Sequence, residues 1–221
     1  MKTTDVDVFL ADIHDFDCGD HDCEALAVRL DRDCAERLAR ITHPRRRAQF
    51  ILGRCLLSQA LRHRYGAIAE AWQLDAAVGK PRLVGAGAPE ISLSHSRELV
   101  ACAIAQVEIG LDVEYCRERD FATLAEQICS PAELRRFLSL PAAERNGPFY
   151  RIWTLREATF KLYGRERVLS ERDGEVRHEY FLPRERFLGA LVARSTRPLH
   201  LILHPPSGAA KNNLNIPGRL G

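Results

Sequence analysis

Helix followed by meandering strands, written twice along 221 residues, predicts an α+β fold. Three observations carry the prediction. Residues Pro44–Tyr65 space their apolar side chains as a helix does, between a proline start and Gly66. Several short runs then alternate apolar and polar residues at the period of strands, separated by turns rich in Gly and Pro. A second long helical stretch, Asn146–Tyr163, again precedes short strand-like runs. Helices and strands segregated in this order belong to the α+β class.

The elements follow in order. Residues 6–10 are an apolar strand-like start, residues 12–22 are acidic and turn-like, and residues 31–40 space their apolar positions as a short amphipathic helix. Pro44 stands at the first turn of the next helix, where its missing N–H would have had no partner anyway. Phe50, Cys55, Leu56, Ala60 and Leu61 line its expected buried face. Strands are expected at residues 72–74, 81–84, 90–94, Leu99–Ala105 and Ile109–Tyr115. Residues 121–129 read as a helix, Ser130-Pro131 as the start signal of another, and Gly164 as the stop of the long one. Strands at residues 177–182, 189–193 and Leu199–His204 close the pattern, and residues 208–221, rich in Gly, Asn and Pro, read as a loose tail.

Composition narrows the function. The charge is nearly balanced at +2, which argues against a general nucleic-acid binder. The first residues lack a basic start followed by an apolar run, and no stretch of about eighteen apolar residues occurs, so the expectation is a cytoplasmic chain without membrane contact. Cys18, Cys23, Cys34, Cys55, Cys102, Cys116 and Cys129 form no Cys-x-x-Cys pair and read as free, mostly buried thiols. The length suits one large domain or two small ones.

Two stretches carry the chemistry. In Ile109-Gly110-Leu111-Asp112-Val113-Glu114 the period of two puts both acids on one side of a strand and the large apolar residues on the other. In Trp153-Thr154-Leu155-Arg156-Glu157-Ala158-Thr159-Phe160-Lys161 a spacing of four puts Trp153, Glu157 and Lys161 on one helix face. Packed together, strand and helix converge three carboxylates beside one ammonium. Such a set needs a cation to stay desolvated, and oxygen ligands of this kind suit magnesium.

These stretches resemble the two signatures of the 4′-phosphopantetheinyl transferases of the large single-chain type: a Gly-x-Asp-x-Glu strand and a Trp-Ser/Thr-x-x-Glu-Ala-x-x-Lys helix. The resemblance covers residues 31–164 and implies a pseudo-dimer of two α+β halves, residues 1–106 and 107–207, with the active site between them and a tail from 208 to 221. It implies magnesium held by Asp112, Glu114 and Glu157, with Glu157 also the general base and Lys161 stabilising the leaving phosphate. It further implies coenzyme A as substrate, with its phosphates and adenine met by Lys80 and Pro81 in Gly79-Lys80-Pro81, by Ser94 and His95 in Ser94-His95-Ser96, and by Arg47 and Arg54 in the run Arg47-Ala48-Gln49-Phe50-Ile51-Leu52-Gly53-Arg54. The expected reaction moves the phosphopantetheine arm onto a serine of an acyl or peptidyl carrier protein, with the chain acting as a monomer and needing neither nucleic acid nor membrane. One departure is plain: after Lys161 the family's Gly-x-Gly becomes Leu162-Tyr163-Gly164-Arg165, which bears on the loop and its pantetheine contacts. Two rivals use the same residues. A magnesium-dependent phosphoester hydrolase would use the acids, and a non-catalytic nucleotide- or RNA-binding module would use the arginines.

Overall fold

The computed structural model describes residues 2–15, 34–76, 80–164 and 174–206. Cys18, Cys23, Gly79, the basic stretch 165–167 that is expected with Arg135 and Arg136 to help dock a carrier protein, and the 208–221 tail lie outside them. The elements are β1 (Thr4–Asp12), α1 (Cys34–Ala39), α2 (Pro44–Tyr65), a 3-10 turn (Gly66–Ala71), β2 (Gln73–Asp75), β3 (Arg82–Val84), β4 (Glu90–Ser96), β5 (Leu99–Ala105) and β6 (Ile109–Tyr115). Then come α3 (Phe121–Ile128), α4 (Pro131–Leu138), a 3-10 turn (Ala142–Glu144), α5 (Asn146–Tyr163), β7 (Val176–Phe181), β8 (Phe187–Arg194) and β9 (Leu199–His204). The fold is α+β.

Local chemistry sets several boundaries. Ser130 accepts from the Glu133 N–H while Glu133 reaches back to the Ser130 N–H, a capping box that starts α4. Gly164 ends α5 in the left-handed region, φ 68°, which glycine adopts without a side-chain clash.

The strands form sheets in the orders β4-β5-β1-β9, β2-β3 and β6-β8-β7. Within the first, β1 is antiparallel to β5 and β5 to β4; within the third, β6 is antiparallel to β8 and β8 to β7. Strand, long helix and hairpin thus recur in the same sense: β1, α2, β4-β5, then β6, α5, β7-β8. The final strand breaks the symmetry. Although it follows β8 in the chain, β9 pairs in parallel with β1 and so extends the first sheet.

Alternation decides which face goes where. Val6, Val8 and Leu10 of β1, Leu99, Ala101, Ala103 and Ala105 of β5, and Ile109, Leu111 and Val113 of β6 meet Leu191 and Ala193 of β8 in one core between the two large sheets. The alternate residues Phe9, Val100, Cys102 and Ile104 pack instead under α2. On the third sheet Ala190 and Val192 pack under Ala158 and Leu162 of α5. The layers therefore run helix, sheet, sheet, helix. Arg184, from the turn before β8, pairs with both Asp12 of β1 and Glu98 of the β4–β5 turn and ties the third sheet to the first at one end.

One seam between the sheets has no strand pairing across it. Among the described residues β6 pairs only with β8, so its other edge would leave backbone groups bare. Side chains cover it. The hydroxyls of Ser92, Ser94 and Ser96 on β4 accept from the N–H groups of Leu111, Val113 and Tyr115 at 2.9, 3.2 and 3.0 Å. Lys80 donates to the Ile109 carbonyl at 2.7 Å and Lys161 to the Leu111 carbonyl at 2.9 Å.

On its other face β6 carries α5 in direct contact. A Cβ on Gly110 would lie 1.9 Å from the Ala158 carbonyl oxygen and 2.8 Å from the Leu162 nitrogen, so only glycine admits the helix this close. Gly110→Ala must push α5 away from β6 and is expected to cost about 3 kcal/mol of unfolding free energy in urea. A loss below about 1 kcal/mol would mean that α5 yields at little cost, and would take Gly110 out of the docking of helix on strand.

Candidate functional site

The site forms where the serine seam meets the helix face. Asp112 and Glu114 leave β6 on the side opposite Leu111 and Val113, as the period of two requires. Asp112 is 5% exposed. Its Oδ1 accepts from Ser94 at 2.9 Å and from the Lys161 ammonium at 2.8 Å. Its Oδ2 is buried with no hydrogen-bond partner among the described residues. Glu114 is held by two donors, Ser96 on Oε2 at 2.8 Å and the Trp153 indole on Oε1 at 3.1 Å.

Three elements thus meet at two carboxylates: β4 through its serines, β6 through the acids themselves, and α5 through Trp153 and Lys161. Glu157 sits half-buried on α5, four residues from each of them. The Lys161 ammonium has three acceptors, Ser94 Oγ at 3.0 Å, the Leu111 carbonyl and Asp112, which match its three N–H groups.

The electrostatics are uneven. Burial foremost, then the charge of Asp112, pushes the Glu114 carboxyl above its ordinary value, against the hydrogen bonds from Ser96 and Trp153 and the field of Arg119. His95 ends the same strand as the serines. Its side chain is exposed, yet partial desolvation by the surrounding protein first, with the charges of Arg46 and then Lys161 adding to it, holds its imidazole below the ordinary value. Lys80 is lowered by burial, which Glu90 and Glu108 oppose.

Sequence order named most of these groups but not their partners. Asp112, Glu114, Lys161 and Ser94 come together, with His95 beside them. Lys80 stands on the same edge one carbonyl further back, a spacing of two residues or about 7 Å along a strand. Arg47 is exposed at the start of α2 and donates to the Leu38 carbonyl at 3.1 Å. Arg46, which carried no specific expectation, is the arginine whose charge reaches His95. Arg54 is 5% exposed, with its guanidinium 4.5 Å from the centre of the Phe50 ring, an interior position. Pro81 is half-buried just before β3. Unanticipated were Ser92 and Ser96 as rungs and Trp153 as a donor to Glu114. Serines at every second position were legible as three hydroxyls on one strand face, but nothing local said what they would meet.

Among the described residues no three His, Cys, Asp or Glu side chains are gathered as a ligand group. The pair on β6 nonetheless fits a hard cation. It offers a buried carboxylate oxygen without a partner and a second carboxylate whose charge burial disfavours. Magnesium is commonly held by one or two carboxylates, with water and substrate phosphates completing the shell.

Comparison with known proteins bears on the same strand and helix. Residues 108–176 match the 4′-phosphopantetheinyl transferase superfamily. The matched segment contains Asp112, Glu114, Trp153, Glu157 and Lys161, the strand and helix that build the site. The chain is also 34% identical over 145 residues to the 4′-phosphopantetheinyl transferase HetI of Nostoc sp., covering 63% of this chain and 61% of that protein. It is 35% identical over 122 residues to the 4′-phosphopantetheinyl transferase AcpT of Salmonella typhimurium, covering 54% of this chain and 60% of that protein. A third relative, the 4′-phosphopantetheinyl transferase psf-1 of Bacillus pumilus, is 33% identical over 87 residues, 39% of this chain and 37% of that protein. The matches thus span about three fifths of the first two relatives' lengths.

Two outcomes follow from the charges. A carboxylate whose folded pKa exceeds its unfolded one makes the protein lose stability as pH rises between the two values. Without a divalent ion, Glu114→Gln is therefore more stable than the parent at neutral pH, and the difference closes as pH falls below the ordinary carboxylate value of about 4.3. Urea titrations at several pH values check this, and equal stability at neutral pH would refute it. Lys161→Met leaves Asp112 buried without its counter-charge, so a loss of about 3 kcal/mol is expected in the same titration.

Proposed function

We propose that the protein transfers the 4′-phosphopantetheine group of coenzyme A to a serine of an acyl or peptidyl carrier protein, releasing adenosine 3′,5′-bisphosphate. The observation that supports this most is the meeting of Asp112, whose Oδ2 has no partner among the described residues, Glu114 and Lys161 on one seam, with His95 on the neighbouring position of β4 within reach of their charges. Such a place suits a diphosphate. The residues to hold magnesium are Asp112 and Glu114, with Glu157 from α5, and the ion supplies neutralisation of charge on the diphosphate oxygens.

The chain's own groups do the rest. Glu157 takes the proton of the carrier serine, whose oxygen forms a bond to the phosphorus bearing the pantetheine arm. The bond from that phosphorus to the bridging oxygen of the nucleotide breaks, and the nucleotide phosphate leaves with the electron pair. Lys161 opposes that charge. Because its three N–H groups are already placed, a bond to the leaving phosphate would be exchanged for the one to Leu111 or Ser94.

Nucleotide binding falls to the first unit. Arg46 and Arg47 at the start of α2 add guanidinium charge to the helix N-terminus. Lys80 lies on the seam, His95 stands on the neighbouring position of β4, Pro81 backs the adenine, and Arg54 contributes its charge from the buried face of α2. A neutral His95 donates one N–H to phosphate, and the phosphate's charge then favours its protonation. Arg135 and Arg136 of α4 meet an acidic carrier, a contact that chiefly raises the association rate. The protein works as a cytoplasmic monomer.

The test is the mass of a carrier protein incubated with coenzyme A, magnesium and the enzyme. A gain of one phosphopantetheine is expected, and Asp112→Asn should reduce the rate by about a hundredfold or more. Coenzyme A consumed without carrier labelling would point to a hydrolase. Coenzyme A bound without turnover would point to a binding module.

A further inference from the structure

The serine rungs differ from one another, and the difference has chemical meaning. A hydroxyl offers one hydrogen and two lone pairs. Around Ser94 Oγ stand the Val113 N–H, the Lys161 ammonium and Asp112 Oδ1. The first two can only donate and an ionised carboxylate can only accept, so the one hydroxyl hydrogen must point at Asp112. Nothing is left to rotate. Ser96 is held likewise between the Tyr115 N–H and Glu114 Oε2. Ser92 accepts from the Leu111 N–H and meets no carboxylate.

We propose that Ser94 is a positioning residue for the cation: with Lys161 it holds Asp112 by Oδ1 so that Oδ2 is presented without a protein partner. The orienting hydroxyl stands on β4 of the first unit and the carboxylate on β6 of the second. The seam that joins the sheets therefore also aims the ligand. Ser96 and Trp153 together fix both oxygens of Glu114, whereas Ser92 is a rung of the seam and provides an internal control. In this structure all three hydrogen-bonding positions of the Ser94 hydroxyl are taken within the protein.

The inference rests on the metal-assisted transfer reading and is tested apart from it, with Mn2+ alone as probe and the free ion counted by electron paramagnetic resonance. Manganese accepts the same oxygen donors as magnesium. Removing a group that orients a ligand typically costs tenfold or more in metal affinity. The expected result is that Ser94→Ala raises the Mn2+ dissociation constant about tenfold, Ser94→Thr restores it, and Ser92→Ala leaves it unchanged within about twofold. A parent that binds no Mn2+, Ser94→Ala binding as the parent does, or Ser92→Ala losing as much as Ser94→Ala would each overturn the proposal. If circular dichroism shows Ser94→Ala unfolded, Ser94→Cys, close in size and a weak hydrogen bonder, is read in its place. Should neither fold, the hydroxyl is structural and the proposal fails. A parent that shows the Ser94 effect on Mn2+ yet labels no carrier would sink the transfer reading and keep this one. Carrier labelling by the parent with unaltered Mn2+ binding in Ser94→Ala would do the reverse.

Discussion

The free edge of β6 is the constraint on which the rest of the molecule turns. A strand edge inside a protein must satisfy its backbone N–H and carbonyl groups, because an orphaned buried group costs about as much as a lost hydrogen bond. Here the partner is not a strand but a row of side chains: three serine hydroxyls for the N–H groups and two lysine ammoniums for the carbonyls. A strand pair would have merged the two sheets. Hydroxyls reach further than a backbone and let β4 lie alongside β6 while each strand stays in its own sheet.

Polar chemistry gathers on this seam for the same reason. Serines placed to satisfy β6 point one lone pair at the backbone, and what remains is aimed at the next side chains, Asp112 and Glu114. Gly110 brings α5 against the same strand, so that Lys161 and Trp153 reach the carboxylates from the other side. Compactness exacts a charge penalty. Asp112 is compensated by Lys161, while Glu114 has only neutral donors and is raised by burial and by its neighbour. A protein that holds two acids this way has left part of their charge for something else to neutralise.

The distal ends show how the two units are kept together. Arg184 bridges β1 and the β4–β5 turn from the side of the third sheet. At the opposite edge β9 returns from the second unit to lie beside β1. His200 faces Asp5 at 3.2 Å there, and His204 meets Asp7 at 2.8 Å while stacking on Phe9. Residue 106 lies in the turn between β5 and β6, and β9 pairs with β1 across that point of the chain.

The sequence by itself determined the elements and their faces. Leu99–Ala105, Ile109–Tyr115, Asn146–Tyr163 and Leu199–His204 have the bounds that period and end signals imply, and Asp112 and Glu114 lie opposite Ile109, Leu111 and Val113 as alternation demands. These are local properties, fixed by 3.6- and 2-residue repeats and by caps. Of the helix expected at 31–40, the described residues 34–40 form one at Cys34–Ala39. Only the tertiary structure decided who meets whom: Lys161 with Asp112 and Ser94, Trp153 with Glu114, the serines with the β6 backbone, Arg54 inside against Phe50, and β9 with β1. The family resemblance had placed Lys161 near phosphate and Arg54 near the nucleotide, but it held no information on what else each would touch. A repeat along the chain states which side of an element is buried. The partner on that side is chosen by how two sheets and two helices, distant in sequence, come to close on one another.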